Sequence, residues 1–380
     1  MLGIPEVVPC PAEEVQPLVN FLEQNQAPDE RIVFPRGTVL PDGRLDLCKQ
    51  NLGPDSCRLI TNSLIGNEYI QSLLLGTDGI GDQGAADVAQ LIRQNTNLRV
   101  IYLGCNKITS VGVKEIARAI QETDHISSLW LKRNPLGEEG YQILAEMLKS
   151  NTSLTILDLV NTNPGELGLK ALVASLKQNK SITRLYLGGN YLQHQDATPL
   201  ADLLASNNHL KALLLNVNRL GDDGVKELAR GLSRNSTLKE LGLASNGINA
   251  DGCKVLIEAV QQSPALVELD LGSAPSTRTL GSQLNQIGST GVQAIAALLQ
   301  GNKMLRRLSL TISKGDSKSI QILEEALEEN HTLVDLRIGQ KLTMRMKTRL
   351  EENRSRNPYE FKKDSDVQLI QSVYRTKVLI

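Results

Sequence analysis

The sequence predicts an α/β solenoid, with short parallel strands lining one face and helices the other. Three observations predict it: leucines on a fixed 28-residue period, in-and-out alternation at each of them, and helical spacing after each. Leu45, Leu73, Ile101, Leu129, Leu157, Leu185, Leu213, Leu241 and Leu269 keep the period, and each is followed two positions later by another leucine. Each unit of a stacked repeat contacts only its neighbours, so the 380 residues are expected to form one elongated body.

The elements follow in chain order. Residues 1–43 supply an N-terminal cap: Val15, Leu18, Val19 and Leu22 have helical spacing, and Ile32 to Phe34 and Thr38 to Leu40 are extended pieces. The array occupies residues 44–340. Its helical segments are typified by Gly224, Val225, Leu228, Ala229 and Leu232. Strands stack about 4.8 Å apart and helices roughly 8 to 9 Å apart, which bends the stack by roughly 20° per repeat. The expectation is a right-handed α/β horseshoe with about eleven inner parallel strands and outer helices. An eleven-residue insertion at 272–282 lengthens one loop, where Arg278 and Leu280 are placed to overhang the groove. Residues 341–380 form a basic closing helix, with Leu342, Met346 and Leu350 on one face, and a tail containing Val367, Leu369, Ile370, Val373, Tyr374, Val378, Leu379 and Ile380. That apolar tail either folds back as part of the cap, the reading adopted here, or docks on something else. Phe21, Phe34 and Phe361 all lie outside the array, as fits capping.

Asn106, Asn134, Asn190, Asn218 and Asn246 stand where the chain turns out of the sheet, where a buried amide can satisfy backbone groups that lose ladder partners. Thr162 and Pro164 break the rule in the fifth repeat and predict a kink or a wider loop. Gly84, Gly112, Gly140, Gly168, Gly224 and Gly252 recur at helix starts and are read as packing glycines. Gly79, Gly81 and Gly84 spell G-x-G-x-x-G, but the repeat accounts for them, and Asp82 would repel phosphate.

The unit therefore reads L-x-x-L-x-L-x-x-N-x-L and a helix, as in Leu238, Leu241, Leu243, Asn246 and Ile248. It recurs as Ile126, Leu129, Leu131, Asn134, Leu136 and as Leu210, Leu213, Leu215, Asn218, Leu220. Over residues 44 to about 340 this resembles the leucine-rich-repeat family. Its length, with a full helix in each turn, resembles the ribonuclease-inhibitor-like subfamily found also in NOD-like receptors, Ran GTPase-activating proteins and tropomodulins. The resemblance implies a protein-interaction scaffold. Inhibition of a nuclease is not expected, because that family's inhibitors alternate repeat length and are strongly acidic, whereas this chain has net charge -1.

The charge and a pI near 6.5 give no pull toward nucleic acid or anionic membrane, so neither is expected as a partner. Cys10, Cys48, Cys57, Cys105 and Cys253 have neither metal-ligand spacing nor disulfide-scaffold density, and the first residues lack a signal-peptide pattern. A cytoplasmic monomer without metal or cofactor is the expectation. The sequons at Asn151, Asn235 and Asn330 are by-products of the turn before a strand; a fourth stands at Asn353. His125, His194, His209 and His331 have no ligand or catalytic set near them, and no enzyme is expected.

The residue between each strand's two leucines points into the concave face. That column runs Asp46, Leu74, Tyr102, Trp130, Asp158, Tyr186, Leu214, Gly242, Asp270, Ser309, Arg337. Leu74, Tyr102, Trp130, Asp158, Tyr186 and Leu214 are expected to form a solvated partner-binding hot spot, flanked by Val100, Ile156 and Lys132. Glu240, Glu268 and Asp270 form a secondary acidic patch that either holds a basic partner or is neutralised by Arg307. Gly76, Gly104, Gly188, Gly272 and Gly339 in the next column leave room for another backbone.

Two alternatives carry the resemblance further. The Ran GTPase-activating type would use an exit-loop arginine, here Arg133 or Arg219, to assist GTP hydrolysis. The closing stretch LRIGQKLTMRMKTRLEEN is loosely similar to the tropomodulin end and would imply actin binding.

Overall fold

The computed structural model describes residues 4–359 and 364–374. Phe361, Val378, Leu379 and Ile380, assigned above to capping or to the tail, lie outside the described residues. The chain divides into two compact units, Met1–Ile182 with Lys362–Ile380, and Thr183–Phe361.

The first unit carries β1 (Ile32–Val33), β2 (Thr38–Val39), β3 (Arg44–Asp46), β4 (Ser72–Leu74), β5 (Val100–Tyr102), β6 (Ser128–Trp130) and β7 (Ile156–Asp158). Its helices are α1 (Gln16–Glu23), α2 (Gly53–Ser63), α3 (Gly81–Gln94), α4 (Ser110–Gln121), α5 (Gly137–Ser150) and α6 (Gly165–Leu176). The expected extended pieces form a hairpin, β1 antiparallel to β2, and β2 antiparallel to β3. From β3 the pairing is parallel, and Leu45, Leu73, Ile101, Leu129 and Leu157 stand in one row. Val15, Leu18, Val19 and Leu22 are buried at the N-terminal end of this unit, and the Phe21 and Phe34 rings meet at 5.4 Å.

The second unit repeats the plan with β8 (Arg184–Tyr186), β9 (Ala212–Leu214), β10 (Glu240–Gly242), β11 (Glu268–Leu271), β12 (Arg307–Leu310) and β13 (Asp335–Arg337). Its helices are α7 (Ala197–Ser206), α8 (Gly221–Leu232), α9 (Ala250–Gln262), α10 (Gly288–Gly301), α11 (Ser317–Glu329) and α12 (Met344–Arg356). All five strand pairings are parallel, and they align Leu185, Leu213, Leu241, Leu269, Leu308 and Leu336. β3 to β13 are the eleven repeat strands that the spacing predicts.

The leucines on either side of each strand's middle residue are shut between sheet and helices; Leu45, Leu47, Leu73 and Leu75 have no exposure. Each such burial stabilises by about 1.5–3 kcal/mol. α12 closes the second unit with Met346, Leu350 and Asn353. Its basic side chains cap the last turn: Arg354 Nε donates to the Val334 carbonyl at 2.7 Å, and Arg349 Nε to Leu327 and Asn330 at 3.1 Å.

The turn asparagines do what their position requires. Asn134 Oδ1 accepts from the Asn106 and Ile108 amides of the preceding repeat, and its Nδ2 donates to the Leu103 and Leu131 carbonyls at 2.8 and 2.9 Å. Asn218 and Asn285 repeat this in the second unit. At Thr162 the missing amide is replaced by Tyr141 of α5, whose hydroxyl lies 2.8 Å from Thr162 Oγ1 and donates to the Leu159 carbonyl at 3.3 Å. A second ladder, not anticipated, runs at the turn before each strand. Asn95 Nδ2 donates to the Leu64 and Asn67 carbonyls, and its Oδ1 accepts from the Asn97 and Leu98 amides. Asn151, Asn179, Asn207, Asn235 and Asn330 are buried in the same role, which accounts for three of the four sequons.

Asp78 holds a ladder position with a carboxyl instead of an amide. Its Oδ1 accepts from the Gln50 amide at 2.7 Å, but its Oδ2, where the other repeats place a donor, is buried without a hydrogen-bond partner among the described residues. Burial pushes the Asp78 carboxyl well above its ordinary range; the Gln50, Asn51 and Leu52 amides oppose this and Asp46 adds to it. A carboxyl whose folded-state pKa is raised contributes stability that is full below pH ~4 and lost as pH rises through the folded value. Asp78→Asn is therefore expected to stabilise the chain by about 1–3 kcal/mol at neutral pH, the gain vanishing toward pH ~4. Urea unfolding of both proteins across pH checks this; a destabilised variant at neutral pH contradicts it.

Candidate interaction surface

Strand alternation turns one residue of each repeat strand away from the helices, and in the first unit these are neighbours in register. Leu74 pairs with Tyr102, Tyr102 with Trp130, and Trp130 with Asp158. The predicted hot-spot residues of this unit thus adjoin one another, but the face they share is not solvated. Leu74, Val100 and Ile156 have no exposure, and Tyr102, Trp130 and Asp158 are buried with 3–4% exposure. Lys132 is half-buried, with its Nζ 5.4 Å from the centre of the Tyr102 ring.

The glycine column expected to leave room for a foreign backbone is filled from within. A Cβ on Gly76 would lie 2.7 Å from Tyr102 Cε1, and one on Gly104 would lie 2.8 Å from the Tyr102 hydroxyl. The Tyr102 ring therefore lies over the two glycines, an arrangement only residues without Cβ permit. In the second unit the Asn216 carbonyl occupies the space beside Gly188, and Ser309 Oγ the space beside Gly272.

Residues 364–374 lie on this face of the first unit. Ser127 Oγ donates to Asp366 Oδ2, Ser72 Oγ to the Leu369 carbonyl at 2.9 Å, and Arg44 to the Gln371 carbonyl. The Val373 amide donates to Asp46 Oδ2 at 2.6 Å, and the Tyr374 hydroxyl is 2.5 Å from Thr38 Oγ1. Burial pushes the Tyr374 hydroxyl above its ordinary range, with Thr38 opposing and Asp46 adding. The tail thus folds back, but onto the strand face and not over a core end. This placement was invisible to periodicity because its contacts link residues more than 200 positions apart.

In the second unit Tyr186 is half-buried and pairs with Leu214, which is 9% exposed. The acidic residues beside them are largely matched. Arg184 donates to Glu240 at 2.7 Å, reaching past Ala212, whose small side chain leaves the path open. Arg307 donates to Glu268 at 2.9 Å and to Asp335 at 3.1 Å. Burial pushes the Glu268 and Asp270 carboxyls above their ordinary range; Glu240 adds to the shift at Glu268 and Arg307 opposes it. Of the two readings of this patch, these contacts favour neutralisation.

The 272–282 insertion does not hang free. Ser282 Oγ donates to the Asn218 and Ser245 carbonyls, Thr277 Oγ1 is 2.7 Å from Ser245 Oγ, and Leu280 is buried, so the loop lies on the exit loops of β9 and β10. Arg219 stacks over Tyr191 at 4.9 Å, and Arg133 sits at a positive φ of 57°. Asp82 of the glycine-rich stretch accepts from the Thr109 and Gly112 amides and so anchors the start of α4. Burial pushes the His125 imidazole below its ordinary range. No helix among the described residues is long and apolar enough to cross a membrane.

Gly76→Ala is expected to cost about 1–3 kcal/mol by forcing the Tyr102 ring off its seat. In a Tyr102→Ala background the cost should fall by at least about 0.5 kcal/mol, since the two sites touch. A urea double-mutant cycle reads the coupling; strict additivity contradicts the packing described.

The "Leucine Rich repeat" family model matches residues 94–117, 206–229 and 234–256. No curated protein matches the sequence. Among solved structures, the chain is similar to the leiomodin-1 actin-binding site 2, at 18% identity over 49% of this chain and 89% of that one, with TM-score 0.32. It is similar to the tropomodulin C-terminal domain of Caenorhabditis elegans, at 17% identity over 44% and 93%, with TM-score 0.35. It is also similar to the Rad7 and Elc1 complex of yeast, at 14% identity over 88% and 87%, with TM-score 0.48. With three repeats matched by the family model and the remaining strands in the same leucine register, the chain is a leucine-rich-repeat protein.

Proposed function

We propose that the chain is a non-catalytic scaffold that takes a protein partner on the strand face turned away from its helices. The observation that carries the reading is the adjacency of Leu74, Tyr102 and Trp130 on neighbouring strands, ending at Asp158 and flanked by Val100, Ile156 and Lys132. Large aromatic and aliphatic side chains around one polar anchor have the composition of an interface hot spot. The seating of residues 364–374 on this face of the first unit, by backbone and side chain alike, supports the reading. Tyr186 and Leu214 would offer the second unit's contribution, with Glu240, Glu268 and Asp270 in a subordinate role.

The uniform 28-residue repeat closed by a full helix supports the ribonuclease-inhibitor-like type. Five free, buried cysteines support a reducing compartment such as the cytoplasm; burial pushes the Cys253 thiol up to about 12, with Asp222 adding. The chain would act as a monomer and need no cofactor.

Affinity capture from a native lysate, comparing the wild type with a Tyr102→Ala, Trp130→Ala, Tyr186→Ala variant of native circular dichroism, tests the reading. A central aromatic of such a patch commonly contributes ~2 kcal/mol or more, so a partner held by the wild type should be lost. Identical recoveries contradict the assignment.

A further inference from the structure

The seating of residues 364–374 has the marks of a recognition event. Ser365–Gln368 form one helical turn, capped by Asp364, whose side chain accepts from the Asp366 amide. From there the segment passes Ser127 just before β6, then β4 at Ser72, β3 at Arg44 and Asp46, and β2 at Thr38, so it crosses the strands. Three of the five contacts engage backbone groups, namely the Leu369 and Gln371 carbonyls and the Val373 amide. The side chains engaged or buried recur every fourth residue: Asp366 and Ile370 are each 8% exposed, and Tyr374 bonds Thr38.

The receiving groups are built in. Asp46 and Ser72 have no exposure, yet each directs a polar atom at the segment. A buried carboxylate or hydroxyl costs free energy unless bonded, so a face meant only to be plugged with apolar side chains would not carry them. Backbone reading combined with a few side-chain pockets is how folds recognise peptides.

We propose that this face of the first unit is a peptide-binding site, that residues 364–374 are its resident occupant, and that its partner is a protein segment of the same chemistry. That segment is a carboxylate-bearing helical turn running into an extended stretch, with an aliphatic and then a phenolic side chain at four-residue spacing, and it enters by displacing the resident one. The proposal rests on the protein-binding reading above and deepens it. A tethered occupant competes at an effective concentration near mM, so the intact chain holds weak partners off and admits those that bind the face better.

The test uses the full chain, wild type and carrying Asp366→Lys with Ile370→Lys, and a fluorescein-labelled synthetic peptide DSDVQLIQSVY, the sequence of residues 364–374. Displacing the occupant should let the variant bind the peptide at least ~10-fold more tightly than the wild type does. Trp130, the one tryptophan of the chain, is 3% exposed on this face and should become more accessible to acrylamide in the variant, then less so when peptide is added. Val373→Pro, which removes the amide donated to Asp46, serves as a second and milder opening variant. Folded variants that bind the peptide no better than the wild type overturn the proposal. If the peptide binds while lysate recoveries ignore the aromatic variant, the scaffold reading fails and the peptide site stands. If recoveries respond but the peptide never binds, the peptide site fails alone.

Discussion

Every turn of this chain leaves the sheet through a buried bend, and the backbone groups stranded there must find partners without water. The structure depends on how that constraint is met. An amide side chain from the next repeat accepts from the bend and donates to two carbonyls, as Asn134 does between the third and fourth repeats of the array. A partner one repeat away links adjacent turns, so the leucine register, the strand pairing and the helix spacing are fixed together. Thr162 with Tyr141 shows that the constraint is on the bonds and not on asparagine itself, and Asp78 shows the cost of supplying the wrong group.

Register in turn decides what the helix-free face displays. Because Tyr102 and Trp130 are neighbours across one strand pair, the aromatic side chains gather in place of being scattered. Because glycines stand beside them at Gly76 and Gly104, the Tyr102 ring can lie flat. Polar residues at Asp46 and Ser72 then meet residues 364–374 with bonds of their own. The second unit, with the same backbone, presents Arg184 with Glu240 and Arg307 with Glu268, and so a nearly neutral, charged-pair surface. One scaffold thus carries two chemistries, and the difference lies in the residue between the leucines, the one two positions before it, and the glycines beside them.

Whatever obeys the period was legible in the sequence. The eleven repeat strands, the helix after each, the turn asparagines and the adjacency of Leu74, Tyr102 and Trp130 all follow from counting by 28, with eleven residues added at the 272–282 insertion. The second ladder at Asn95, Asn151 and Asn179 obeys the same period and was missed because N-T-S-L reads as an ordinary turn. What periodicity cannot reach are contacts between the array and residues outside it. Tyr102 and Trp130 look solvated if the strands are considered alone, yet they are buried; separately, the fold-back of 364–374 onto Ser72 and Ser127 has no counterpart in any repeat. The glycine column misled for a related reason: empty space in a sequence column is open to the protein's own side chains before any ligand.

The occupied strand face of the first unit is the central claim, and amide hydrogen exchange on the intact chain tests it most directly. The account predicts that peptides spanning residues 364–374 exchange far more slowly than an unstructured chain, with the Val373 amide protected through Asp46. Exchange of that segment at the rate of a free peptide, while β3 to β6 stay protected, would contradict it.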